Sequence, residues 1–224
     1  MRLLTWNIWN GGDGRIDAIE GVLREQDADI VALQEANDRA AVEHLAAALA
    51  FELVYGDANS EYAVAWLSRL PVTRSQNHRV PVLEKTLLEV EVDGLRLCST
   101  HLSAGRTRDH EPRRIAEAEA IVAEVGVSAD VVVGDFNAVH PLDDIGSPPP
   151  EEELDHVSRR PVELILEAGF ADAFRELHRV ERGWTYIAWH PWARLDYVFA
   201  RTLPRSCDVV ESDASDHFAV VADL

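Results

Sequence analysis

Three consecutive valines, Val131, Val132 and Val133, pass without a polar spacer into Gly134-Asp135-Phe136-Asn137. A run of this kind predicts a strand buried on both faces, ending where an acid and an amide point at one spot. Several other segments repeat that design. Leu3 to Ile8 alternates loosely and predicts a first strand with Asn7 near its end, followed by an Asn10-Gly-Gly-Asp-Gly turn. Ile16, Ile19, Val22 and Leu23 recur at helical spacing, predicting a helix from Arg15 to Glu25. The run Asp29 to Gln34 predicts a second buried strand ending on Gln34 and Glu35. A helix over Asp38 to Leu49 follows, with Val42, Leu45 and Leu49 on one stripe, then a strand near Phe51 to Tyr55. Tyr62 to Ser68 predicts a strand stopped by Arg69-Leu70-Pro71.

Leu88, Val90 and Val92 alternate into Asp93-Gly94, a strong hairpin signal, and the return strand Leu95 to Thr100 delivers His101. Pro112 opens a helix carrying Ile115, Ala118, Ile121 or Val122, and Val125 on its buried side. His140 to Arg160, with its prolines and glutamates, predicts a long loop overhanging a site. A helix from Val162 to Ala168, closed by Gly169, leads to a second short helix over Ala171 to His178. Arg194 to Phe199 predicts a strand with Asp196 embedded, and the last strand, Phe218 to Leu224, is preceded by Ser215-Asp216-His217. Extended and helical patterns therefore alternate, which points to mixed sheets covered by helices.

At 224 residues and 47% hydrophobic, with mean hydropathy -0.14, the chain can bury a core, and one domain spanning 1–224 is expected. No apolar run is long enough for a signal peptide or membrane span, so a cytoplasmic protein without membrane insertion is expected. Cys98 and Cys207 have no metal-ligand spacing and read as buried thiols. The formal net charge of -19 opposes a sequence-independent grip on long nucleic acid, which depends on neutralising phosphates with many cations. Lys85 is the only lysine; the other cationic side chains are arginines. No obligate protein partner is evident.

Asn7, Glu35, His101, Asp135, Asn137, Asp196, Asp216 and His217 all lie at or beside the ends of apolar extended segments. Their motifs are TWNI (5–8), LQE (33–35), STHL (99–102), GDFN (134–137), RLDYVF (194–199) and SDHFAV (215–220). Taken in this order, the set resembles the endonuclease/exonuclease/phosphatase superfamily, the DNase I-like metal-dependent phosphoesterases. The resemblance implies an α/β fold of the DNase I type, a four-layer α/β/β/α sandwich of two mixed sheets with the site where the sheet edges open. It further implies a Mg²⁺-dependent phosphoester hydrolase, with Mn²⁺ able to substitute. Glu35 would be the principal metal ligand, helped by Asn7 and by Asp216, directly, through water or at a second metal site. Asp135 would orient or deprotonate water, and Asn137 would hold that water or a phosphate oxygen. His217 would act as an imidazolium oriented by Asp196, while His101 would bind phosphate or assist the leaving group.

Arg106, Arg108, Arg113 and Arg114 form a basic cluster that could seat an anionic substrate, Arg106 foremost, although Arg113 and Arg114 start a helix and fit its solvated face better than substrate contact. The aromatic stretch Trp184, Tyr186, Trp189 and Trp192 could stack a base, line an apolar pocket or cap the core. The strand before Leu67 lacks the glycine usual in the family, and Trp66 there is expected to reshape the cleft floor. The expected substrate is a small, nucleotide- or lipid-derived phosphodiester. A nuclease acting on DNA or RNA, and a binding protein that kept the fold without turnover, are the alternatives.

Overall fold

A computed structural model describes every residue except 106, 151 and 153. The strands are β1 (Arg2–Asn7), β2 (Ile30–Gln34), β3 (Glu52–Gly56), β4 (Val64–Ser68), β5 (Val72–His78), β6 (Leu87–Val92), β7 (Leu95–His101), β8 (Val131–Asp135), β9 (Ala171–Asp172), β10 (Asp196–Ala200), β11 (Ser206–Val210) and β12 (Ala219–Asp223). The helices are α1 (Ile16–Gln26), α2 (Arg39–Leu49), α3 (Glu111–Val125), α4 (Arg160–Glu167) and α5 (Ala173–Leu177). One six-stranded sheet has the order β11-β12-β1-β2-β4-β3 and the other β5-β6-β7-β8-β10-β9. Each has one parallel pair near its centre, β1 with β2 and β7 with β8.

The period-two alternation of the strands builds the layers. Leu3, Ile30, Val131, Val133, Val198 and Val220 face the space between the sheets. Leu4, Trp6, Val31 and Leu33 point outward under α1 and α2, and Val132, Tyr197 and Phe199 point outward under α3 and α4. The result is an α/β/β/α sandwich of two mixed sheets. Asp38 caps α2 by accepting from Ala41 N at 3.1 Å, and Pro112 lies in the first turn of α3. The β6–β7 hairpin turns through Asp93 (φ 52°) and Gly94 (φ 77°), both left-handed, as a two-residue turn matched to strand twist requires.

Two expectations are corrected. Ala171 to His178 is a two-residue strand, β9, followed by α5, because Ala171 and Asp172 pair with β10 before Asp172 caps the helix. Trp66 does not form the cleft floor: it is fully buried between the sheets, donating from Nε1 to Leu88 O at 3.0 Å. The 140–159 loop packs Leu154 and Val157 beside Tyr186 and Trp192 and walls a cavity that shares Ala104, Asn137 and Tyr186 with the cleft. Cys98 and Cys207 are buried and unbonded to each other, and burial pushes both thiols up. Among the described residues no helix is long and apolar enough to cross a membrane.

Candidate active site

The parity that sends valines into the inter-sheet core carries polar residues to its open end. In β1 the inward series Leu3, Thr5 ends at Asn7; in β2 the series Ile30, Ala32 ends at Gln34, directly opposite Asn7. In the other sheet His101, Asp135 and Asp196 form one row across β7, β8 and β10. The two sheets meet beneath this row through a buried polar bridge: Gln34 Nε2 donates to Ser99 Oγ at 3.1 Å, and Thr5 Oγ1 donates to Gln34 Oε1 at 3.3 Å. Just beyond the strand ends the backbone turns sharply. Trp9, Asn10, Glu35 and Asn137 all hold left-handed φ between 47° and 54°, strained for residues with side chains, and all four line the cleft.

The cleft encloses about 350 Å³ and contains Glu35, His101, Asp135, Asn137, Asp216 and His217. Asn7 lies behind it, donating from Nδ2 to Glu35 Oε1 at 3.3 Å and to Asp135 Oδ2 at 3.1 Å, so it ties the two sheets' acids together. Glu35 Oε2 also accepts from Asn10 N at 2.7 Å. Asp135 is buried and accepts from Asn137 N at 2.8 Å, while its Oδ2 lies 3.2 Å from His101 Nε2 and 3.8 Å from His217 Nε2. Burial alone would raise the Asp135 carboxyl; His101, His217 and the hydrogen bonds overcome it and hold the group well below the usual carboxylate range. Asn137 Nδ2 faces Leu102 O at 3.1 Å and Asp135 Oδ2 at 3.3 Å, which leaves its Oδ1 as the acceptor offered to the cleft.

Asp196 Oδ2 lies 2.8 Å from His217 Nδ1. The acid is set by Thr185, whose Oγ1 accepts from Asp196 N at 3.3 Å. Burial would lower His217, yet Asp196, Asp135 and Asp216 around it push it up to about 10, so the ring is an imidazolium at neutral pH with Nε2 turned to Asp135. Arg194 does not compete for Asp196: it is buried with Asp172 and Asp143. Asp216 is pushed up to about 6 by burial and by the Glu35 and Asp135 carboxylates. Among the described residues no Arg or Lys lines this cleft, and behind its wall the buried Lys85 lies near enough to Glu35 and Asp135 to offset part of their charge. A hard divalent cation is the natural counter-charge for such oxygen donors. Asp135, Asp196 and His217 also converge closely enough to ligate an ion, but the Asp196–His217 contact already occupies the Nδ1 face.

The endonuclease/exonuclease/phosphatase family model matches residues 4–217. The chain belongs to that family. Its members are phosphoester-cleaving hydrolases, generally dependent on a divalent metal. An AP endonuclease from Archaeoglobus fulgidus superposes with a TM-score of 0.82 at 22% identity, covering 99% of this chain and 98% of that one. The 3′ phosphatase NExo from Neisseria, solved with a product DNA hairpin, gives 0.81 at 19% identity over 100% and 99% of the two chains. D. rerio TDP2, solved with a single-strand DNA product, gives 0.76 at 18% identity over 99% and 97%. No curated protein matches the sequence.

The remaining features of this family member depend on backbone the motifs do not describe. Trp9, Asn10, Tyr62, Ala104 and Tyr186 complete the cleft wall, and the Tyr186 ring lies 4.7 Å from that of His217. They sit in loops, where only the aromatic clustering around Tyr186 gave a sequence signal. Of the basic cluster, Arg106 lies outside the described residues. Arg108 is exposed, and Arg113 pairs with Glu84 at 3.2 Å. Arg114 is not on a solvated face: it is 1% exposed and donates from Nη1 to Ser103 O and Gly105 O, bracing the loop after β7. Gly134 has φ 135°, and a Cβ there would stand 1.9 Å from Thr100 O. Gly134→Ala should therefore prise β8 from β7, separate His101 from Asp135 and cost about 1–3 kcal/mol or more. Thermal unfolding together with hydrolysis rates checks this; a wild-type melting temperature would refute it.

Proposed function

We propose that this hydrolase is a Mg²⁺-dependent phosphodiesterase that cleaves a small, nucleotide- or lipid-derived phosphodiester by in-line attack of water. The observation that carries the reading is the convergence at one cleft of Glu35 and His217, from the ends of one sheet with Asn7 behind them, and of His101 and Asp135 from the other, whose Asp196 backs His217. Glu35, Asn7 and Asp216 would hold the metal, which when bound supplies Lewis-acid stabilisation of the charge on the phosphoryl oxygens. Asp135 orients the attacking water and receives its proton as the bond to phosphorus forms. Its low basicity suits late proton transfer better than early abstraction. Asn137 Oδ1 accepts from the same water. His217 donates from Nε2 to a non-bridging oxygen, where the charge gained in the transition state strengthens the bond. His101 stands on the opposite side of Asp135, in position to serve the phosphate or the leaving oxygen.

A nuclease is the second reading, favoured by the DNA products bound in two of the structural neighbours. The formal charge of -19, and the lack of described Arg or Lys in the cleft, favour the small diester. Hydrolysis of bis-p-nitrophenyl phosphate, p-nitrophenyl phosphate and an oligonucleotide, with EDTA, Mg²⁺ or Mn²⁺, separates the readings. The expected result is metal-dependent cleavage of the simple diester, reduced about 10²–10³-fold in Glu35→Ala along with the calorimetric heat of Mg²⁺ binding. Preferred cleavage of the oligonucleotide would establish the nuclease; turnover unaffected by EDTA would overturn the metal assignment.

A further inference from the structure

Trp9 lines two cavities. One is the catalytic cleft; the other is an open cavity of about 440 Å³ that Trp9 lines together with Trp189. Trp189 faces Trp9 with ring centroids 5.9 Å apart, and Phe218 and Ala188 complete the apolar lining. These two tryptophans are 42% and 60% exposed, an unusual placement for the largest apolar side chain unless its face has a ligand. The lining also carries two exposed carboxylates, Glu211 and Asp213, and, among the described residues, no cation. Arg15 lies 4.6 Å over the Trp9 ring, but its guanidinium donates to Ile8 O, Trp9 O and Ala214 O and does not line the cavity.

The cavity is tied to the catalytic residues through backbone. Trp9 N donates to Asn7 Oδ1 at 3.0 Å, and Ala188 N donates to Asp216 O at 2.8 Å, so the backbone that carries both tryptophans is tied to the polar residues of the cleft. Ser215 and Phe218 line the cavity while Asp216 and His217, between them, line the cleft. A diester bound at phosphorus thus has one ester arm within reach of the tryptophans. Aromatic faces attract cations through their quadrupole, tryptophan most strongly, and nearby carboxylates add to that attraction. The same carboxylates repel a further phosphate, so a continuing polynucleotide does not fit this side.

We propose that the Trp9–Trp189 cavity is a substrate subsite for a compact alkylammonium group, making the substrate a phosphodiester with one cationic, apolar ester arm. This rests on the phosphodiesterase reading above. The test compares p-nitrophenyl phosphorylcholine with its uncharged isostere, p-nitrophenyl 3,3-dimethylbutyl phosphate, and separately titrates tryptophan fluorescence with choline chloride against NaCl. The expected results are a kcat/KM ratio of about tenfold in favour of the choline ester and a saturable choline-specific quench. Both should be lost in Trp189→Ala and in the double variant Glu211→Gln/Asp213→Asn. Equal kcat/KM for the two esters without a choline quench would overturn the subsite and leave the phosphodiesterase reading standing. A specific quench without turnover of either ester would do the reverse. Preference for thymidine 5′-p-nitrophenyl phosphate over the choline ester, or a choline preference that survives both variants, would also overturn the proposal.

Discussion

Asp135→Asn is expected to lower kcat on bis-p-nitrophenyl phosphate by about 10³–10⁴-fold while leaving the fold intact. The amide is nearly the size of the carboxylate and can still accept from Asn137 N, the 2.8 Å bond that shapes the turn after β8. It cannot receive a proton from water, and it removes the negative charge that lies 3.2 Å from His101 and 3.8 Å from His217. Two effects therefore add: loss of the group that orients water, and release of both imidazoles from their shared anion. Initial rates with saturating Mg²⁺, beside circular dichroism to verify folding, make the measurement. A variant within tenfold of wild type would exclude Asp135 from the chemical step.

The second large effect concerns the charge on His217. Its ring is surrounded by Asp196 from β10, Asp135 from β8 and its neighbour Asp216, with Tyr186 packed on one side and Trp6 Nε1 donating to its carbonyl at 2.8 Å. Burial lowers its proton affinity, but the acids outweigh burial and push it up to about 10. The sign follows directly. The folded-state value exceeds the ordinary histidine value of 6.5, so the stabilisation from the charged ring is fully present below that value and is lost as pH rises through about 10. If the imidazolium is the active form, kcat/KM should fall on the alkaline side near that pH. Asp196→Asn removes the strongest of the raising charges while keeping the shape, leaving burial to act. The alkaline limb should then move down by about 1–3 pH units, with the rate at pH 8 falling by up to about tenfold through loss of the charged ring. A rate profile from pH 5 to 11 decides the matter; an unmoved limb would mean that another group sets it.

Most of the strand framework was readable because buried strands in a sandwich must be apolar on both faces, and β1, β2, β8 and β12 are. The end positions were readable for the same reason: Asn7, Glu35, His101 and Asp135 are polar residues where an apolar run stops. Two of the edge strands, β5 and β11, were not. β5 reads Val-Thr-Arg-Ser-Gln-Asn-His, with its central residues exposed, so it carries no apolar period, and β11 is similarly half-exposed at the opposite edge of the other sheet. Their existence depends on β6 and β12 offering hydrogen bonds, which is a tertiary fact. Arg114 had a signal that composition obscured. It falls on the stripe of Ala118, Ile121 and Val125, so spacing points it inward even though its charge argues for solvent. Tyr62 and Trp9 reach the cleft by loop backbone, including the left-handed turn at Trp9, and no periodicity encodes that.

The Gln34–Ser99 hydrogen bond has a consequence for how such a site can change. The apolar side chains between the sheets would tolerate some sliding of one sheet over the other, because dispersion has little directional preference. A buried, directional link does not. It sits directly below the division between Asn7 and Glu35 on one plate and His101 and Asp135 on the other, so it works as an alignment pin for the two halves of the site. The spacing of those halves is then a property of the sandwich itself. Loops at the rim can be exchanged, lengthened or recoloured in charge to admit a different ester while the jaws beneath them keep the same gauge.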